Sequence, residues 1–110
     1  MHIALANFYL LSITGPKMAA DMTSADMEKT VTAKPEVISW LKRSLDAVKT
    51  AHADLKVADV PRKVKVFGHD ATVDGMYLRI IVHANEHMGQ LVAYARMNGI
   101  TPPWSEGAAK

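Results

Sequence analysis

From Thr72 to Asn98 the sequence holds one helical pattern without a break. Val73, Met76, Tyr77, Ile80, Ile81, Ala84, Met88, Leu91, Val92 and Ala95 recur at steps of three and four, which places them on one broad helix face. Thr72 suits the N-cap, Asp74 and Gly75 fall in the first turn, and Gly99 followed by Pro102-Pro103 stops the helix. At about 1.5 Å per residue such a helix runs about 40 Å. A chain of 110 residues has room for one domain. A helix that long must span the domain and be covered by others lying along it. The expected fold class is therefore all-α, with helices packed up and down. Gly89 inside this helix costs about 1 kcal/mol relative to Ala, and a close neighbouring helix would justify it.

The other elements follow from the same logic. Met1 to Thr14 is apolar nearly all round, through Ile3, Leu5, Ala6, Phe8, Tyr9, Leu10 and Ile13, as in a helix buried between others. Gly15-Pro16 ends it. It has no N-cap and no preceding turn, so the chain reads as truncated at its N-terminus. Lys17 to Ala33 is polar and reads as a solvated connection, with a short helical turn near Ser24 to Thr30. Pro35 to about Lys56 is a second long helix, with Pro35 at its first position and Glu36 in its first turn. Its expected stripe is Val37, Ile38, Leu41, Leu45, Val48, His52 and Leu55, flanked by Trp40. Lys63 to Phe67 alternates charged and apolar residues before a Gly68-His69-Asp70 turn, which suggests a short extended segment with no partner strand in view. Beyond the last helix, Trp104-Ser105 is expected to fold back on the bundle, and Glu106 to Lys110 to fray.

Composition narrows the chemistry. With no cysteine, disulfides and thiolate metal sites are excluded, so any metal site must use His and carboxylate. The net charge is only +2 and the lysines are dispersed, which leaves no basic footprint for nucleic acid. No stretch is long and apolar enough to span a bilayer. Ile3 to Ile13 followed by Met18-Ala19-Ala20 has the outline of a signal peptide, but no Lys or Arg precedes it. A cytoplasmic location is the expectation, with an exported form as the alternative.

The residues that point to chemistry are His83 and His87. Four residues apart on a helix, they lie roughly 40° apart round the axis and about 6 Å along it. Both imidazoles can reach one ion, which then needs a further ligand from elsewhere. The candidates are His2, His52, His69 and the acidic residues; His2 has the merit of an apolar helix around it. The alternative is a pair of core-edge histidines bonded to protein groups. His52 and His69 read most simply as packed or exposed. The segment also spells His-x-x-Glu-His, an inverted zinc-peptidase pattern in which Glu86 would be the general base. Such enzymes are much larger, and no substrate-binding strand accompanies it here.

A more specific likeness covers nearly the whole chain. His83-x-x-x-His87-Met88-Gly89-Gln90-Leu91-Val92-Ala93-Tyr94-Ala95-Arg96-Met97-Asn98-Gly99-Ile100-x-Pro102-Pro103-Trp104-Ser105 resembles the C-terminal helix of the DinB-like (DinB/YfiT) metalloenzyme family. Met1-His2-Ile3-Ala4-Leu5-Ala6-Asn7-Phe8-Tyr9-Leu10-Leu11 resembles that family's second helix, and Val66-Phe67-Gly68 fits the segment before the last one. The resemblance implies a four-helix bundle lacking its first helix, and a divalent metal (zinc, nickel or iron) held by His2, His83 and His87. Residues 1–110 would then form one incomplete domain.

It further implies a metal-dependent reaction on an unidentified substrate. One route is S-transfer or isomerisation with a low-molecular-weight thiol, whose pKa the metal lowers; the other is hydrolysis by activated water. Glu86 is the candidate catalytic residue, as general base or as a hydrogen-bond partner of a ligand. Asn7, Gln90 and Tyr94 are candidates for orienting ligands or substrate, while Arg96 reads as a surface residue. A bundle short of one helix would expose an apolar strip, which gives a physical motive for a homodimer. The competing reading is a non-catalytic helical module that folds by dimerising.

Overall fold

The computed structural model describes residues 1–22 and 24–105. Three long helices carry the fold: α1 (His2–Thr14), α3 (Lys34–Ala53) and α4 (Val73–Met97). A one-turn helix, α2 (Met27–Thr30), interrupts the polar connection between α1 and α3, within the Ser24 to Thr30 span expected of it. The expected fraying of residues 106–110 lies outside the described residues. Among the described residues no helix is long and apolar enough to cross a membrane.

The fold is mostly helical and not purely so. Lys63 to Phe67 does become a strand, β1 (Lys63–Val66), but it has a partner. β2 (His69–Thr72) pairs with it antiparallel, from Lys63 opposite Thr72 to Val66 opposite His69. The second strand was hidden because His69-Asp70-Ala71-Thr72 lacks β-branched alternation. Its two half-buried residues, Ala71 and Thr72, are small. Phe67-Gly68 forms the two-residue turn, with φ of 49° and 81°. Positive φ at both central positions is the type I′ pattern that matches strand twist.

α1 lies at the centre. Ala4 and Phe8 meet Trp40 of α3; Leu10 meets Met76 and Ile80 of α4; Leu11 meets Val73 and Tyr77. Its apolar residues are spread round the axis because three sides need covering. Arg62 donates to the Thr14 carbonyl and so satisfies one of the orphan acceptors at the end of α1. The packing of α1 on α3 is close because small residues face it. Ser44 is fully buried and accepts a hydrogen bond of 3.1 Å from Asn7 Nδ2.

That contact turns α3 away from the expected stripe. The helix buries Trp40 and Ser44, with Ala47, Val48 and Ala51 half-covered, while Ile38, Leu45 and His52 are exposed. The close approach at Ser44 selects the facing side over the more apolar one beside it. α4 shows a related departure. Thr72 caps it by accepting from Gly75 N–H, and Val73, Met76, Tyr77 and Ile80 are buried. Ile81, Met88 and Leu91 are more than half exposed. α1 packs extensively on both α3 and α4, whereas α3 and α4 make no comparable contact with each other. Their apolar flanks line a gap. Trp104 does not fold back as expected: it is 69% exposed.

Gly89 also departs from expectation: among the described residues, nothing beyond its chain neighbours and its own helix backbone lies within 4 Å of where its Cβ would stand. Its backbone φ falls outside the left-handed range. Gly89→Ala is therefore expected to stabilise the isolated chain by about 0.5–1 kcal/mol in chemical denaturation, through helix propensity alone. A loss of stability would mean that a neighbour occupies that side in solution.

Candidate metal centre

His2 sits in the first turn of α1, while His83 and His87 lie one turn apart on α4, and α1–α4 packing brings the three together. His2 Nε2 lies 3.2 Å from His83 Nε2, and His87 Nε2 lies 3.1 Å from the same atom. The three rings thus turn one type of nitrogen towards a common point, and they form a group of residues that can hold a metal ion.

Two neighbours fix which nitrogen carries the proton. Glu28 Oε2 lies 3.1 Å from His2 Nδ1. That hydrogen bond holds the Glu28 carboxyl below the usual range, so it is an acceptor and the proton sits on His2 Nδ1. Gln90 Oε1 lies 2.9 Å from His87 Nδ1 and takes the same role there. In these tautomers the Nε2 atoms of His2 and His87 present lone pairs to His83. A protein proton can satisfy this arrangement only by sharing one N–H of His83 between two acceptors. A cation satisfies all three nitrogens.

Two of the three separations pass a second test. Bonds of about 2.1 Å to one ion place two nitrogens about 3.0 Å apart at a right angle and about 3.4 Å apart at the tetrahedral angle. The two observed separations fall between these values. His83 is the buried member, at 9% exposure, and among the described residues its Nδ1 has no hydrogen-bond partner. Burial pushes this imidazole below its usual pKa, reinforced by the charges of His87, His2 and Arg79. It is therefore held neutral, the form that binds metal.

The remaining sequence candidates fall in different places. Asn7 is drawn into the core by Ser44 and does not reach the histidines through any hydrogen bond. Gln90 contacts His87 directly. Tyr94 is exposed and, with His2, His87 and Gln90, lines a cavity of about 360 Å³ between α3 and α4. Glu86 is exposed and makes no side-chain hydrogen bond or ion pair among the described residues. Arg96 is exposed, His69 is exposed on the hairpin, and His52 packs edge-on against Tyr77 at 5.0 Å and does not join the triad.

Glu28 was not legible in advance. It stands in the polar connection, and only the docking of that connection brings it to His2. Met27 and Val31 on either side of it pack against the Ala4–Phe8–Trp40 cluster. Arg43 grips Asp21 with two hydrogen bonds of 2.8 Å, and the same guanidinium lies 4.2 Å over the Trp40 ring. The segment is thereby fastened to α3 as well as to α1.

The model of a family described as the DinB family matches residues 1–110. No curated protein and no solved structure matches the chain.

Replacing Glu28 tests its support of His2. Glu28→Ala is expected to weaken zinc binding about 10–100-fold in a competition titration with a chromogenic chelator. Glu28→Gln, which retains an acceptor oxygen, should recover part of the loss. Unchanged affinity in Glu28→Ala would show that His2 is oriented without it.

Proposed function

The chain belongs to the DinB family, and from that premise we propose that it is a metal-dependent enzyme acting on a small molecule, with His2, His83 and His87 holding one divalent ion. The observation that carries the reading is the convergence of three Nε2 atoms, with Glu28 and Gln90 setting the tautomers of His2 and His87. A bound zinc, nickel or iron ion supplies Lewis acidity, which lowers the pKa of a thiol or of water at the centre. The protein's own part is to hold His83 neutral, to aim the three imidazoles, and to keep water from the buried side at His83. Two cavities flank His2 and give a substrate access. Glu86, exposed one residue before His87, is the proton acceptor in this proposal.

Cobalt substitution tests the reading and separates its two branches. Purified protein is expected to take up about one divalent ion per chain, and His2→Ala or His83→Ala to lose most of it. Addition of a low-molecular-weight thiol to the cobalt form should produce a sulfur-to-metal charge-transfer band if the thiol branch is correct. Metal-dependent ester hydrolysis without such a band, reduced in Glu86→Gln, would select the hydrolytic branch. Failure of wild type to bind any divalent ion would sink both.

A second reading is favoured by the gap between α3 and α4. Besides the cavity at Tyr94, a space of about 510 Å³ lies between Leu45 and Val48 on one side and Leu78 and Ile81 on the other. Three exposed apolar residues, Leu45, Leu78 and Ile81, line it. In this reading the chain is a non-catalytic helical module that pairs with a second copy over this face. Light scattering should then give a dimer for wild type and a monomer for Ile81→Glu. Metal uptake without turnover would accompany it.

A further inference from the structure

The hairpin turn contains a residue that its backbone does not favour. Position 67 has φ of 49°, where Asn, Asp or Gly is the usual occupant of a type I′ turn and a bulky aromatic is strained. Phe67 does not repay that strain by joining the core, for it is 76% exposed. Its ring stacks instead on Tyr9, with centroids 5.4 Å apart and planes 28° from parallel. Tyr9 is seven residues beyond His2 on α1, hence on the same face and about 10 Å along the axis.

Between them lies a cavity of about 490 Å³, with His2 and Glu28 at one end and Tyr9 and Phe67 at the other. Leu5, Ala6, Met18 and Met22 make much of the wall between these ends. Among the described residues, Glu28 is the one carboxylate on the wall, with no Lys or Arg beside it, and it is engaged with His2. The space therefore offers no counter-charge to a ligand's body. It offers apolar surface and an aromatic pair, with a polar end at the histidine it shares with the triad. Strain held at an exposed aromatic beside such a cavity is the pattern of a ligand-binding position and not of a packing one.

We propose that this cavity is the substrate pocket of the metal centre, and that it takes a small molecule with a flat, uncharged body lodged against Tyr9 and Phe67 and a metal-ligating head directed to His2. The proposal rests on the metal-centre reading above. Phe67 is then a specificity residue: it sets which bodies are accepted and takes no part in the chemistry at the head.

The test uses the full chain loaded with zinc, and two hydroxamates that share a ligating head. Benzohydroxamate carries a ring and acetohydroxamate only a methyl group. Calorimetry should show the ring compound binding about tenfold tighter or more, as expected for burial of its apolar area. In Phe67→Asn, a residue that suits the turn, zinc content and acetohydroxamate affinity should be unchanged. The thermal midpoint should be equal or higher, and the preference for the ring should fall towards one.

Zinc content is measured first. No uptake by wild type refutes the metal centre and takes this proposal with it. With zinc bound, equal affinity for the two hydroxamates overturns the pocket alone. So does a ring preference that survives Phe67→Asn but disappears in Tyr94→Ala, which would place the body between α3 and α4. A lower thermal midpoint in Phe67→Asn would show that the ring is a packing element and would also overturn it.

Discussion

α1 is a helix that cannot stand with any side bare. Its buried residues are divided among three clusters, and α3, α4 and the hairpin are each held through one or more of them. Burial of that apolar surface is the main source of stability for a chain this small. The same docking also carries His2 across to α4, so fold and site share one energetic origin. Whatever loosens α1 from α4 loosens the histidine cluster with it.

The cluster gathers polar atoms that are poorly satisfied within the protein. Two lone pairs are directed at one imidazole, and that imidazole has a buried nitrogen without a partner among the described residues. Buried polar atoms left in this state destabilise a structure by about 1–3 kcal/mol each. The ligand set is nevertheless kept in place, by Glu28 on one side and Gln90 on the other.

Much of this was legible in the sequence, and the misses have identifiable causes. The three long helices followed from periodicity and from their terminal Thr, Gly and Pro residues. The pairing of His83 with His87 followed from spacing. The choice of His2 came from family resemblance and is matched by the proximity of the three rings. What escaped was set by tertiary contact. Hydrophobicity favoured Ile38 and Leu45 for the inner face of α3, but close approach at Ser44 put Trp40 there. Glu28 looked like any solvated acid until its segment docked. β2 has too weak a sequence pattern to be seen without β1 beside it. Among the described residues Gly89 has no neighbour of the kind its sequence position suggested.

The ligands are divided unevenly along the chain. His83 and His87 belong to a single helical turn, whereas His2 is 81 residues distant from His83 in sequence. An ion bound by all three would act as a cross-link that closes most of the polypeptide into a loop, a constraint of the kind a disulfide imposes in chains that have cysteine. Affinity for the ion is then also a gauge of tertiary order. Molecules with α1 undocked retain only the two local ligands, and the apparent affinity falls with their share of the population.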